Sequence, residues 1–175
     1  RKTVLALLNT EGGVPVRYLW PLLDDSRWFV VRNALQLATR TGDPALVSHL
    51  ERLLFHHDAR VRREVMRSLD TLSDPHVATL LGRALSDDDS SVRTLAAHGL
   101  ARHGGRAQVT VLQQHVESRD LDARPSEEVN ALLWAYACLG GEATVDTLNK
   151  MWKRRLFGTR SMPVRLAAVQ ALSAV

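Results

Sequence analysis

Small apolar side chains return along this chain in a fixed relation to a Val-Arg step. A small polar residue comes first. Val-Arg follows three positions later, and then small apolar residues at helical spacing. The pattern reads Asp58-Ala-Arg-Val61-Arg62, Asp89-Ser-Ser-Val92-Arg93, Ser126-Glu-Glu-Val129-Asn130 and Ser161-Met-Pro-Val164-Arg165. A variant precedes them at Val31-Arg32, where Val30 also fits the register. The valines stand at 31, 61, 92, 129 and 164, in steps of 30, 31, 37 and 35 residues. Self-similarity at such a period is the mark of a stacked repeat. In the last copy Val164, Ala167, Ala168, Ala171 and Leu172 make one apolar stripe on a helix. One unit cannot bury that stripe alone, so neighbours must stack. The small residues let the helices approach closely.

Between these anchors lie short breaks: Thr41-Gly42-Asp43-Pro44, Ser73-Asp74-Pro75, Gly104-Gly105 and Gly140-Gly141. Gly closes a helix by accepting a left-handed backbone, and Pro opens the next at its first turn. The Asp or Ser before each Val-Arg helix is placed to accept a backbone N–H as an N-cap. Together the signals predict helices near 2–9, 13–23, 27–40, 44–55, 59–72, 76–85, 90–103, 106–118, 127–139, 142–156 and 162–175. The first reads as the second helix of a truncated pair and the next ten as five pairs. The expected organisation is a single array over residues 1–175, cut from a longer protein.

The segments VRREVMRSLDTLSDP, from Val61, and VRLAAVQALSAV, from Val164, resemble HEAT repeats. The similarity is to the short bacterial type also found in phycobilin lyase subunits, and it covers nearly the whole chain. It implies an all-α fold, an α-solenoid in which antiparallel helix pairs wind into a right-handed superhelix. Two departures stand out. Asn130 replaces the repeated Arg, and the turns ESRDLDARPSEE and KRRLFGTRSMP are extended. Insertions in solenoids fall at edges, where binding often sits.

The 175 residues are 45% hydrophobic, enough for one continuous array. A formal charge of +4 and a pI near 9.8 raise the question of nucleic acid. The charge is spread, however. Residues 1–56 carry 7 basic and 5 acidic side chains, residues 57–105 carry 7 and 7, and residues 106–175 carry 9 and 7. No segment has the basic excess of a dedicated nucleic-acid module. Cys138 is the single cysteine, so an internal disulfide is excluded. It reads as a core residue of an apolar helix. No apolar run reaches membrane-spanning length. Cytoplasmic location, no membrane contact and a monomer are the expectations.

Candidate chemistry follows the repeat. The Arg at 32, 62, 93 and 165 recurs with the fold signal, so it reads as a structural ladder to Asp residues of the inter-helix turns rather than a row of anion-binding groups. With the valines buried, positions two, five, six and nine or ten further on should line a concave groove. This places Arg63, Met66, Arg67 and Asp70, then Thr94, Ala97, His98 and Arg102, then Ala131, Trp134 and Ala135 on it. The expected binding residues there are Arg63, Arg67, His98, Arg102 and Trp134. A basic middle thus gives way to an apolar end. A basic edge, Lys150, Lys153, Arg154, Arg155 and Arg160, is the densest cationic run. Trp20 and Trp28 flank a tight turn and are expected to pack on each other.

No nucleophile–base arrangement, metal-ligand spacing, P-loop or dinucleotide fingerprint is present. Catalytic residues, cofactors and metals are therefore not expected. The reading is a non-catalytic scaffold that binds another protein, another domain of its own chain or an acidic peptide through the concave face. Nucleic-acid backbone binding is the first alternative. A chromophore-handling lyase subunit, implied by the resemblance alone, is the second.

Overall fold

The computed structural model describes residues 15–153 and 160–175. The expected helix at 2–9, and Arg154 and Arg155 of the basic edge, lie outside the described residues. The described chain is helical throughout, with nine α-helices and no strand among the described residues. It divides into two compact units, with the boundary between Leu72 and Ser73. That boundary falls at the break the sequence marks with Ser73-Asp74-Pro75.

The first unit contains α1 (Trp28–Thr41), α2 (Leu46–Leu53) and α3 (Ala59–Leu69). The α-helix expected at 13–23 is replaced by two short 3-10 helices, Val16–Tyr18 and Trp20–Asp24. Pro21 explains the change. It has no N–H to donate, and its ring would collide with a carbonyl one turn back in an α-helix. Helix α3 packs on both α1 and α2, and α1 also meets the turn Trp20–Asp24. Val31, Leu35, Leu46, Leu50, Val61, Val65 and Leu69 are fully buried between them. Thr39 Oγ1 donates to Ser68 Oγ at 2.8 Å, tying α1 to α3. The two tryptophans take other partners than each other. Trp20 stacks on His49 at 4.3 Å, and Trp28 carries the Arg60 guanidinium 3.7 Å from its ring centre.

The second unit contains α4 (Val77–Ala84), α5 (Ser90–His103), α6 (Arg106–Val116), α7 (Ser126–Gly140), α8 (Val145–Trp152) and α9 (Met162–Leu172). The extended turn before α7 holds a 3-10 helix, Arg119–Ala123, and Gly141–Thr144 forms another before α8. The Val-Arg helices stack in order, α5 on α7 and α7 on α9, while α4, α6 and α8 pack on one side or the other of them. Val92, Val129 and Val164 are buried, as the stripe requires.

The caps divide by residue type. Asp58 accepts from the Arg60 N–H at 2.8 Å and Asp89 from the Val92 N–H at 3.0 Å. Asp25, Asp43, Asp74 and Asp87 each accept the N–H two residues on, at 2.8 Å, one turn device used before helix after helix. Ser126 and Ser161 do not cap. Ser126 is the first residue of α7 after Pro125, and Ser161 makes no side-chain cap bond. Gly42 and Gly141 take the positive φ, 66° and 53°, that lets the chain turn out of α1 and α7.

Two of the repeated arginines, Arg62 and Arg93, brace the turns through backbone carbonyls, whereas Arg32 bonds to Asn33 in its own helix. Arg62 Nη1 donates to the carbonyls of His56 and His57 at 2.8 and 3.3 Å. Arg93 Nη1 repeats this with Asp87 and Asp88 at 2.6 and 3.0 Å. The other edge of the Arg93 guanidinium makes a two-bond fork with Glu128 of α7, 2.7 Å on each arm. Arg124, from the extended turn, adds a 3.0 Å bond to the same carboxylate. Glu128 is fully buried, so α5, α7 and the turn meet at one desolvated charge cluster.

His115 lies in the field of that cluster. Burial pushes its pKa below the ordinary 6.5, and Arg124 and Arg93 add to the shift, against Asp120 and Glu128. His56 is lowered by burial and by His57, against Asp58, while its Nδ1 accepts the Asp58 N–H at 3.0 Å. A histidine held neutral in the fold binds its proton more readily when unfolded. Stability is therefore fully present above 6.5 and is lost as the pH falls from there toward the folded values. Urea titrations at pH 7.5, 6.5 and 5.5 should show a falling unfolding free energy. The slope should not exceed about 1.4 kcal/mol per pH unit for each histidine. His115→Gln should flatten it, and an unchanged slope would refute the assignment.

Candidate binding groove

Helices α5, α7 and α9 leave an open pocket of about 370 Å³ within the second unit. Its position follows from residue size. Ala131 of α7 and Ala167 and Ala171 of α9 line it, side chains too short to fill the space between two helices. Polar groups stand around this floor: His98 from α5, Glu127 and Asn130 from α7, and Gln170 from α9. Trp134 of α7 completes the lining and is 45% exposed, a large indole left half in water beside alanines. Beyond it, Leu166 and Val169 of α9 are exposed too.

The groove-facing row of α7 is turned from the expected one. Ala131 lines the pocket as expected, but Ala135 is buried outside its lining, and Glu127, Asn130, Trp134 and Cys138 form the exposed row. Those positions step by three, four and four, a single helical stripe. Cys138 is consequently exposed rather than a core residue, and partial burial raises its thiol pKa above the ordinary 9.0. On the other helices, Met66, Thr94 and Ala97, expected on the groove, are also buried. Small or apolar side chains at these positions pack into the seam between stacked helices instead of facing solvent.

The charged candidates separate. Arg63 and Arg67 belong to the first unit, on α3. The Arg63 Nε–H donates to the Ala59 carbonyl at 3.4 Å, and Arg67 pairs with Glu64 at 3.1 Å. In the second unit His98 and Arg102 are exposed on α5, and His98 lines the pocket with Trp134. On the basic edge Lys150 and Lys153 are exposed. Arg160 is engaged within the fold. Its Nη1 donates to the Ser118 carbonyl at 3.0 Å and to Asp122 at 2.9 Å. It staples the extended turn before α7 to the start of α9. Glu127 was not among the sequence candidates. Its spacing of seven from Trp134, two helical turns on one face, is the signal that points to it.

Among the described residues no group of three or more His, Cys, Asp or Glu side chains could hold a metal ion. No helix among them is long and apolar enough to cross a membrane.

Stacked Val-Arg helices, recurring caps and braced turns define an all-α helical-repeat protein of the solenoid class. The chain matches HEAT repeats over residues 16–101 and 56–132, and it belongs to that family. A solved structure with a similar fold is the complex of CpcE and CpcF of phycocyanin lyase from Nostoc sp. PCC7120, with a TM-score of 0.70 and 17% identity. That likeness covers 95% of this chain and 67% of the other, and at this identity it shows the fold alone. An engineered protein of known crystal structure is similar at a TM-score of 0.48 and 20% identity, over 91% of this chain and 78% of that one. No match was found among curated proteins.

Proposed function

We propose that the chain is a non-catalytic binding scaffold that holds a segment of a partner protein in the groove between α5, α7 and α9. The observation that carries this reading is Trp134, a half-exposed indole over an alanine floor with polar groups around it. Exposed aromatics ringed by polar residues are where binding energy concentrates at interfaces. An apolar pocket with a few convergent polar groups is the usual form of a binding site. The exposed Leu166 and Val169 extend the apolar surface along α9. Arg102, Lys150 and Lys153 of the same unit are proposed as secondary contacts outside the pocket.

The acidic peptide and nucleic-acid readings find less support at the groove. Glu127 places a carboxylate in the lining, and it repels phosphate and carboxylate alike. A chromophore-handling role would rest on fold likeness alone, which does not carry function.

A library of random dodecapeptides displayed on phage, selected on the full chain, tests the reading. Enriched peptides should bind wild-type protein at least about tenfold more tightly than Trp134→Ala, a difference of about 1.4 kcal/mol. The variant should melt close to the wild type, because the side chain is half in solvent. Failure to enrich any peptide, or equal binding to the variant, would remove the groove from consideration.

A further inference from the structure

The groove's chemistry specifies one feature of its ligand, and this step rests on the binding-scaffold reading above. We infer that the pocket takes a cationic side chain of the partner segment, an arginine in preference to a lysine. Trp134 and Glu127 line the same pocket from the same helix. They are seven residues apart, so their Cα atoms are separated by about 10 Å along the axis. An extended arginine can lie along the alanine floor with its guanidinium between the indole and the Glu127 carboxylate.

Each wall of the pocket suits part of such a side chain. The indole face attracts a cation through its quadrupole, and a planar guanidinium stacks on it as well. The alanine floor of Ala131, Ala167 and Ala171 accepts methylenes without competing for hydrogen bonds. Glu127 supplies the opposite charge. It sits in the first turn of α7. Among the described residues no cation pairs with it, unlike Glu128 beside it, whose carboxylate Arg93 and Arg124 occupy. Asn130 and Gln170 offer side-chain carbonyls to remaining guanidinium N–H groups. Arginine is favoured over lysine because its flat fork can stack and donate in several directions at once.

The complementarity is local. It coexists with a chain of net charge +4, so long-range attraction does not explain it. An acidic ligand residue in this pocket would meet Glu127 and lose its hydration without a cation in return.

The same dodecapeptide selection separates this inference from the reading it rests on. Enriched sequences should share an arginine position. In a synthetic peptide of that sequence, arginine→citrulline, which keeps shape and removes charge, should weaken binding by on the order of fivefold or more. Glu127→Gln should weaken the arginine peptide by on the order of fivefold and leave the citrulline peptide nearly unaffected. Enriched peptides that depend on Trp134 but share no cation, or that bind equally after either change, would overturn the cation assignment and leave the groove standing. Enrichment of acidic peptides would overturn it as well. Peptides independent of Trp134, or none at all, would take down both.

Discussion

Replacing Glu128 with Ala should cost the second unit about 3–5 kcal/mol. Two guanidiniums converge on this carboxylate, Arg93 with two bonds of 2.7 Å and Arg124 with one of 3.0 Å. The carboxylate is fully buried, and the two arginine side chains are only 18% and 12% exposed. The substitution leaves two poorly hydrated cations facing each other across an empty site. Their mutual repulsion and lost hydrogen bonds set the cost. Since whole domains are stable by only about 5–15 kcal/mol, the loss should be plain in a urea unfolding curve. Glu128→Gln should lose less, because its amide still accepts one hydrogen bond. Asp120 gives the contrast. It pairs with Arg124 at 3.1 Å, but its side chain is 64% exposed. Asp120→Asn should therefore cost under about 1 kcal/mol. A double-mutant cycle between Arg93 and Glu128 should show a coupling well above that of the Asp120–Arg124 pair. A loss below about 1 kcal/mol for Glu128→Ala would show the cluster to be energetically idle.

Gly104→Ala should destabilise the same unit by about 1–3 kcal/mol, while Gly105→Ala stays within about 0.5 kcal/mol of neutral. The two residues are adjacent and chemically identical, and the sequence gives both the same role at a break. Their surroundings differ. A Cβ on Gly104 would lie 2.5 Å from the Leu100 carbonyl oxygen and 2.6 Å from Leu139 Cδ1. The oxygen belongs to the backbone of α5 and already accepts the Gly104 N–H at 2.7 Å. It cannot move away without opening the helix end. A Cβ on Gly105 would meet nothing closer than Gln108 Oε1 at 3.8 Å. Nor is left-handed backbone the reason for Gly104, whose φ is −73° and ψ 168°. Its requirement is space at the contact of α5 with α7. Equal unfolding midpoints for the two variants would contradict this account.

These two cases mark how far local signals reach. The Val-Arg period placed α5 at 90–103, as observed, and α9 at 162–175, where the helix runs Met162–Leu172, because an apolar stripe is a property of a dozen consecutive residues. Asp58 and Asp89 cap as their positions suggest. The site was only half legible. Trp134 and His98 line the groove, but the stripe that carries Trp134 is rotated to include Glu127 and Asn130. One residue of rotation on a helix is about 100° of face, and the face is set by how α7 packs against α5 and α9.

Much of the polar chemistry was decided by contacts distant in sequence. Glu128 stands beside Glu127 in a row of charges that looks uniformly solvated, yet one is fully buried and the other exposed. Arg93, 35 residues away, makes that difference. Arg160 looks like one more cation of a basic edge, and the turn at Ser118 and Asp122, some 40 residues back, takes its hydrogen bonds. The sequence by itself determined the helices from α1 onward, their repeat and the aspartate caps Asp58 and Asp89, since these depend on short-range spacing and backbone preference. Tertiary structure alone decided which charges are buried against partners and which face the groove. Burial and pairing depend on neighbours that only packing brings together.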